Sequence, residues 1–135
     1  MSRNDWRRPQ NFNTPPDKRR VKITVCYDGS EFCGWQSQND LPSVQSTLKT
    51  CVQKFICSDN VIVVGSGRTD SGVHAKSQVA HIEFPGSCNV PAKAFMPALN
   101  ALLPFSIRIT ESSEALPSFH ARYSTMAREY RYLPI

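Results

Sequence analysis

The chain has 135 residues, 40% of them hydrophobic and 20% charged, which is typical of one globular domain rather than of a disordered or fibrous protein. No apolar run reaches the length of a membrane span, and five cysteines without a Cys-x-x-Cys pair disfavour a zinc site or a disulfide framework. The net charge of +5 is uneven, because residues 1–20 carry six basic and two acidic side chains and the remainder carries ten and nine. We expect a soluble, cytoplasmic protein with reduced thiols and no membrane association.

The first 20 residues mix Arg, Asn, Gln and Pro without apolar periodicity, which is typical of a flexible basic tail. Such a tail has two interpretations: weak attraction to nucleic acid through its charge, or a solvated segment with no binding role. We expect residues 21–135 to form the folded part of the chain.

The folded part begins as a strand followed by a helix. Val21 to Tyr27 alternate in polarity and are rich in β-branched residues, which predicts the first strand. Ser43 is a suitable N-cap for a helix. Helical spacing then places the apolar residues on one stripe: Val44, Leu48, Cys51, Val52, Phe55 and Ile56.

Two further strands and a second helix follow. Val61 to Val64 and Val79 to Phe84 are the predicted second and third strands. Pro91 suits the first turn of a helix, and Pro97 should kink or shorten that helix. The apolar face of this helix is predicted to contain Phe95, Leu99 and Leu102.

The end of the chain contains two more strand-like segments. Ile107 and Ile109 alternate with polar residues in a fourth strand, and Arg128 to Leu133 place Tyr130 and Tyr132 on one face of a last one. The order is β-α-β-β-α-β plus one strand. This order predicts an α+β, ferredoxin-like fold: an antiparallel sheet with two helices on one face.

The loop between the second and third strands carries the most chemically informative residues. Residues 65–74 read Gly-Ser-Gly-Arg-Thr-Asp-Ser-Gly-Val-His. The glycines allow close approach of another molecule, and Arg68, two residues from Asp70, can favour and orient the ionised carboxylate. Such a carboxylate can act as a nucleophile or a base. The alternative is an ordinary Asp-Ser-Gly turn, which local composition alone favours.

The chain resembles the N-terminal half of the TruA-type tRNA pseudouridine synthases across nearly all of residues 21–132. The resemblance is carried by blocks in family order and at family-like spacing. They are Tyr27-Asp28-Gly29, Phe32, Gly34-Trp35-Gln36, Val44-Gln45, Gly67-Arg68-Thr69-Asp70-Ser71-Gly72-Val73-His74, Gln78, Asn100-Ala101-Leu102-Leu103-Pro104, Phe119-His120-Ala121-Arg122-Tyr123-Ser124 and Tyr130-Arg131-Tyr132.

The resemblance implies isomerisation of uridine to pseudouridine in the anticodon stem-loop of tRNA, with no metal or organic cofactor. It implies that Asp70 is the catalytic residue, that Arg68 holds this acid, and that Tyr130 contacts the target base. A cluster of basic residues near that tyrosine offers candidate phosphate contacts: Arg122, Arg128 and Arg131.

Structural interpretations remain open for several of these residues. Tyr130 and the three arginines can instead be ordinary sheet residues, packed or solvated. Phe32 and Trp35 are expected in the core rather than on an RNA-stacking surface. His74 and His120 are expected to make structural hydrogen bonds rather than to catalyse.

The resemblance covers only one half of the family pattern, because the chain stops just after Tyr132. We therefore expect a truncated chain, weakly active or inactive on tRNA alone. The alternatives are a fragment of a longer enzyme, a degenerate paralogue, or one part of a split enzyme. Self-association into a homodimer, or a complementary C-terminal half, would cover the sheet edge and apolar face that a half-domain exposes.

Two other functions fit parts of the sequence. A non-catalytic RNA-binding module would use the same fold class, although the aromatic motif of RNA-recognition domains is absent from the sequence. An aspartic protease would use Asp70-Ser71-Gly72 in a homodimer, but Arg68 disfavours the shared proton that such a pair of acids requires.

Overall fold

A computed structural model describes residues 13–28, 35, 43–66 and 75–122. In these residues two helices and four strands alternate in the order expected from the sequence. The elements are β1 (Lys18–Asp28), α1 (Val44–Ile56), β2 (Ile62–Gly65), β3 (Ala75–Pro85), α2 (Ala92–Leu102) and β4 (Ile107–Glu114). The predicted last strand, 128–133, lies outside the described residues.

The four strands form one antiparallel sheet in the order β2-β3-β1-β4. Read from the other edge, this is the 4-1-3-2 order that a β-α-β-β-α-β chain adopts when both helices cross the same face. The ferredoxin-like α+β arrangement predicted from the sequence is therefore confirmed. Within the described residues, β2 and β4 are the two edge strands.

The core lies between the sheet and the two helices. In β1 every second residue, from Val21 through Ile23 and Val25 to Tyr27, is buried on this face. The predicted stripe of α1 is confirmed, since Val44, Leu48, Cys51 and Val52 are buried while Phe55 and Ile56 pack against the core. The ring of Phe95 in α2 lies 5.2 Å from that of Phe55 and 5.3 Å from that of Phe84.

Helix α1 has a well-defined cap at each end. The Ser43 hydroxyl accepts a hydrogen bond from the Ser46 backbone N–H, and the Ser46 hydroxyl accepts one from the Ser43 N–H, which confirms the predicted N-cap. At the other end Cys57 adopts the left-handed conformation, with φ of 57°, and terminates the helix.

Helix α2 contains Pro97 and continues past it. Pro91 is the N-cap residue, one position before the helix rather than within its first turn. In the turn before Pro97 the Ser112 hydroxyl accepts a hydrogen bond from the Met96 N–H (3.1 Å) and donates one to the Ala92 carbonyl (2.8 Å). Ser112 of β4 thus bridges the donor and acceptor that a regular helix would join directly.

Two further details of the sequence prediction are wrong. Leu102 is 46% exposed, because α2 ends there and Leu103 turns into the core in its place. Strand β1 begins at Lys18, so residues 18–20, which composition alone assigns to the basic tail, belong to the sheet. The reason is that Arg19 forms an ion pair with Glu114 of β4 and Arg20 one with Glu83 of β3. Residues 1–12 lie outside the described part of the chain.

Candidate active site

The loop that carries the predicted catalytic residue connects β2 to β3. Its residues 67–74, including Arg68 and Asp70, lie outside the described residues, but both of its ends are described. At one end the Ser66 N–H donates to the Val79 carbonyl at 2.9 Å, and at the other Ala75 pairs with Asp28 of β1. The sheet therefore fixes where the loop begins and where it ends.

Gly65, the last residue of β2, is tightly surrounded by side chains. A Cβ atom at this position would overlap the Oε1 atom of Gln78 and would lie 2.6 Å from the Cε2 atom of Trp35. Only glycine permits this approach without displacement of a neighbour. The residue before the loop is thus packed directly onto an aromatic ring and an amide side chain.

Trp35 is a core residue, as expected. Its side chain is 2% exposed and its ring centroid lies 6.4 Å from that of Tyr27. Its carbonyl accepts a hydrogen bond from the Gln45 N–H, and the Gln45 amide donates to the Val63 carbonyl of edge strand β2. Trp35 and Gln45 therefore join the start of α1 to the strand that leads into the loop.

The sheet face opposite the helices is covered by residues 115–122, named here the C-terminal strap. The strap follows β4 and turns back over the sheet. It begins with a hydrogen bond from the Ala115 N–H to the Arg20 carbonyl. Further along, the guanidinium of Arg20 donates to the Phe119 carbonyl at 2.9 Å. The Lys22 ammonium lies 5.3 Å from the Phe119 ring centroid.

Two histidines meet where the strap lies on β3. His81 of β3 is 1% exposed, and its Nδ1 atom accepts a hydrogen bond from the Ala121 N–H at 3.0 Å. The ring of His120 stands edge-on to it, with the centroids 4.6 Å apart. Burial, the neighbouring His120 and the charge of Arg20 lower the pKa of His81 to about 3. Burial is also the main reason that the pKa of His120 is lowered.

His81 was not predicted as a functional residue from the sequence. The sequence gives one indication of its position: in the run Val79-Ala80-His81-Ile82, strand alternation places His81 on the face away from the apolar core. A histidine at such a position would ordinarily face solvent. Its burial depends on the strap, which the sequence pattern did not indicate. His120 was expected to be structural, and its packing against His81 agrees with that role, whereas His74 lies outside the described residues.

The strap ends beside the start of the loop. His81 is the register partner of Val64, which lies two residues before Ser66. Paired strands are about 5 Å apart and two strand residues span about 7 Å. The backbone of His81, whose ring binds the Ala121 N–H, therefore lies within about 10 Å of Ser66, from which the loop that carries Asp70 starts.

Of the predicted site residues, the structure describes Arg122. It is half-buried at the end of the strap, and its charge is one of the causes that lower the pKa of His120. Tyr130, Arg128 and Arg131 lie outside the described residues, as do Arg68 and Asp70. The described residues therefore include the two supports of the predicted site, which are the loop ends and the strap, but not the Asp70 carboxylate.

Two other kinds of feature are absent from residues 13–28, 35, 43–66 and 75–122. These residues contain no cluster of three or more His, Cys, Asp or Glu side chains that could hold a metal ion. Neither of the two described helices is long and apolar enough to cross a membrane.

Comparison with known proteins identifies the family. A family model described as tRNA pseudouridine synthase matches residues 23–124. Proteins named tRNA pseudouridine synthase A are similar to this chain: that of Treponema pallidum (strain Nichols) is 47% identical over 121 residues, which are 86% of this chain and 42% of the relative. That of Synechococcus sp. (strain CC9902) is 43% identical over 124 residues, 90% of this chain and 41% of the relative.

A third relative, from Latilactobacillus sakei subsp. sakei (strain 23K), is 44% identical over 114 residues, 84% of this chain and 45% of its own length. The chain thus spans less than half the length of the curated relatives it matches. The family match includes both supports of the predicted site, because it runs from β1 through the loop to the end of the strap. The chain belongs to the tRNA pseudouridine synthase family.

Proposed function

We propose that this chain carries the catalytic carboxylate of a cytoplasmic tRNA pseudouridine synthase that isomerises uridine in the anticodon stem-loop of tRNA. The observation that supports it most strongly is the family match over residues 23–124, which encloses the whole β2–β3 loop. The name of the similar proteins, tRNA pseudouridine synthase A, supports the same activity and substrate.

The reaction requires that one bond breaks and another forms without any net oxidation. The bond between N1 of uracil and C1′ of the ribose breaks, and a bond between C5 and C1′ replaces it. The proton on C5 is lost and N1 gains one. Asp70 is proposed to act through its ionised carboxylate, either by attack on the sugar, by attack on the base, or as the base of an elimination.

The target nucleotide must leave its stack before a protein side chain can reach it. Extrusion costs a few kcal/mol of lost stacking and pairing. Tyr130 is proposed to contact the extruded base, and an aromatic face in that position contributes about 1–3 kcal/mol. Arg68 is proposed to orient Asp70. Arg122, Arg128 and Arg131 are proposed to bind phosphates, which fixes the position of the RNA but does not select its sequence.

The remainder of the cleft is proposed to come from a complementary C-terminal half or from a second copy of the chain. The similar proteins are more than twice as long as the matched region, which supports the first option. We expect the 135-residue chain alone to form little or no pseudouridine.

The test is to measure pseudouridine by mass spectrometry in an unmodified tRNA transcript. The chain is assayed alone and after fusion to the C-terminal segment of the Treponema pallidum relative. The fused enzyme should form pseudouridine, and the Asp70→Ala variant should lose it. Asp59→Ala is the matched control, since Asp59 is an exposed residue between α1 and β2 and its loss should leave activity intact.

Two results would contradict the proposal. Pseudouridine formation that survives in the Asp70→Ala variant would exclude the proposed role of that carboxylate. RNA binding by the fused protein, unchanged in Asp70→Ala and without any modified base, would instead support a non-catalytic RNA-binding module.

A further inference from the structure

The strap is attached to the sheet by polar contacts to its backbone and by the rings of Phe119 and His120. Its first residue donates to the Arg20 carbonyl, its middle accepts from the Arg20 guanidinium, and its end donates to His81. The charge of Arg20 is paired with that of Glu83, since its Nε atom lies 2.9 Å from the Glu83 carboxylate. Both side chains are nearly buried. The strap therefore has a defined position on the sheet.

The contact at His81 requires one protonation state. The Nδ1 atom accepts the Ala121 N–H, so the neutral ring must carry its proton on Nε2. Protonation of Nδ1 would remove the acceptor and would place a positive charge beside Arg20. The buried ring is thus suited to hold the strap only while it is neutral.

The position of this contact gives it a consequence for the reaction. Arg122 directly follows the residue held by His81, and the next residues lead to Tyr130. Because His81 pairs with Val64 and the Asp70 loop starts two residues beyond Val64, the imidazole links the end of the strap to the strand that leads into that loop.

We propose that His81 is a positioning residue: its neutral imidazole holds the end of the strap, so that the segment carrying Tyr130 starts beside the loop carrying Asp70. This role rests on the proposed function, but the docking itself can be measured without any activity. His81 touches no substrate in this proposal and acts through the strap.

The charges around His81 determine the sign of the pH effect. Arg20 and Lys22 face it from β1, Glu83 lies on the same face of β3, and His120 and Arg122 belong to the strap. The facing residue of β2 is the uncharged Val64. Cations outnumber anions in this group, so a further proton on His81 is disfavoured while the strap is docked, and acid should release the strap.

The first measurement is backbone amide hydrogen exchange by NMR on the 135-residue chain. In His81→Leu, which removes the acceptor, the Ala121 amide should exchange about tenfold faster or more. The amides of β1 and β3 at Val21 and Ile82 should keep their protection. His81→Asn, which offers an amide oxygen in place of Nδ1, should restore part of the protection at Ala121.

Leu116→Ala is the control within the strap. The Leu116 side chain is 73% exposed, and its loss leaves the contacts to Arg20 and His81 in place. If His81→Leu does not fold, the wild-type chain still decides the matter, since on lowering the pH the protection factor of the Ala121 amide should fall before that of the Val21 amide. Equal protection of Ala121 in the wild type and in His81→Leu, or protection factors of Ala121 and Val21 that fall together with acid, would overturn the docking role.

The second measurement is pseudouridine formation by the fused enzyme. His81→Leu should lower kcat at least about tenfold with a smaller change in the KM for tRNA, and His81→Asn should recover part of kcat. A released strap with unchanged kcat would overturn the positioning role. A wild-type fused enzyme that forms no pseudouridine would count against the proposed function, while the exchange measurements would still decide whether His81 holds the strap.

Discussion

The two faces of the sheet are built from the same strands but in different ways. In β1, the residues facing the helices are Val21, Ile23 and Val25, each almost completely buried among apolar side chains. The residues that alternate with them, Arg20 and Lys22, face the strap and contact the Glu83 carboxylate and the carbonyl and ring of Phe119. One face is stabilised by the removal of apolar surface from water and the other by directed polar contacts.

We infer that the helical face mainly determines the stability of the chain and that the strap face mainly determines where the strap is positioned. Apolar packing is non-directional, so the helical face tolerates changes that conserve volume but not those that create cavities. Polar contacts on the strap face depend on particular atoms and protonation states, so they respond to pH and to single-atom changes. We therefore expect substitutions on the first face to change the free energy of unfolding, and those on the second to change pH dependence and activity.

The largest expected effect is on the helical face. Phe95→Ala removes a fully buried ring that packs against Phe55 and Phe84, and we expect a loss of about 3–5 kcal/mol in the free energy of unfolding. Urea denaturation followed by circular dichroism measures it. Phe105→Ala is the matched control, because the Phe105 side chain is 93% exposed and its loss should change stability by less than about 0.5 kcal/mol. Similar losses in both variants would contradict the core assignment.

The second effect is the pH dependence that the strap face gives to the free energy of unfolding. The pKa of His81 is about 3 in the folded chain and near the ordinary value when unfolded, so the unfolded state binds the proton first as pH falls. Stability should be fully present above about pH 6.5 and should decline below it, by up to about 1.4 kcal/mol per pH unit. The lowered pKa of His120 acts in the same direction.

Urea denaturation at pH 7 and at pH 5 measures this decline, and we expect a loss of about 2 kcal/mol from His81 alone. The His81→Leu variant should show a shallower pH dependence than the wild type over the same range. An unchanged slope in that variant would contradict the assignment of the decline to His81.

A third prediction concerns the point at which the core meets the loop. In Gly65→Ala the new methyl group would overlap Gln78 and Trp35, and we expect a loss of about 1–3 kcal/mol. Gly86→Ala is the control, since its nearest neighbour would be a backbone oxygen of Asp17 at 3.1 Å and the expected loss is smaller. The same denaturation experiment compares the two variants. A larger loss of stability in Gly86→Ala would show that Gln78 and Trp35 can move away from Gly65 at little cost in free energy.

The helical face was largely predictable from the sequence, and the strap face was not. Alternation in β1 and the 3.6-residue stripe of α1 are local patterns that follow directly from burial of one face. The exposed Leu102 was mispredicted because periodicity does not reveal where a helix ends. The contact between His81 and Ala121 joins residues 40 positions apart through one buried imidazole, and no local pattern encodes such a pairing.

The smallest expected effect tests a feature that could be read from the sequence alone. Ser43→Ala removes the hydroxyl that caps α1, and we expect a loss of about 1 kcal/mol because the Ser46 N–H then lacks its acceptor. Ser118→Ala, at an exposed position in the strap, is the control and should be nearly neutral. Since Ser43 belongs to the helical side, its loss should be the same at pH 7 and pH 5. A Ser43→Ala effect that grew at pH 5 would show that the two faces are coupled, and stability and positioning would then not be separable in this chain.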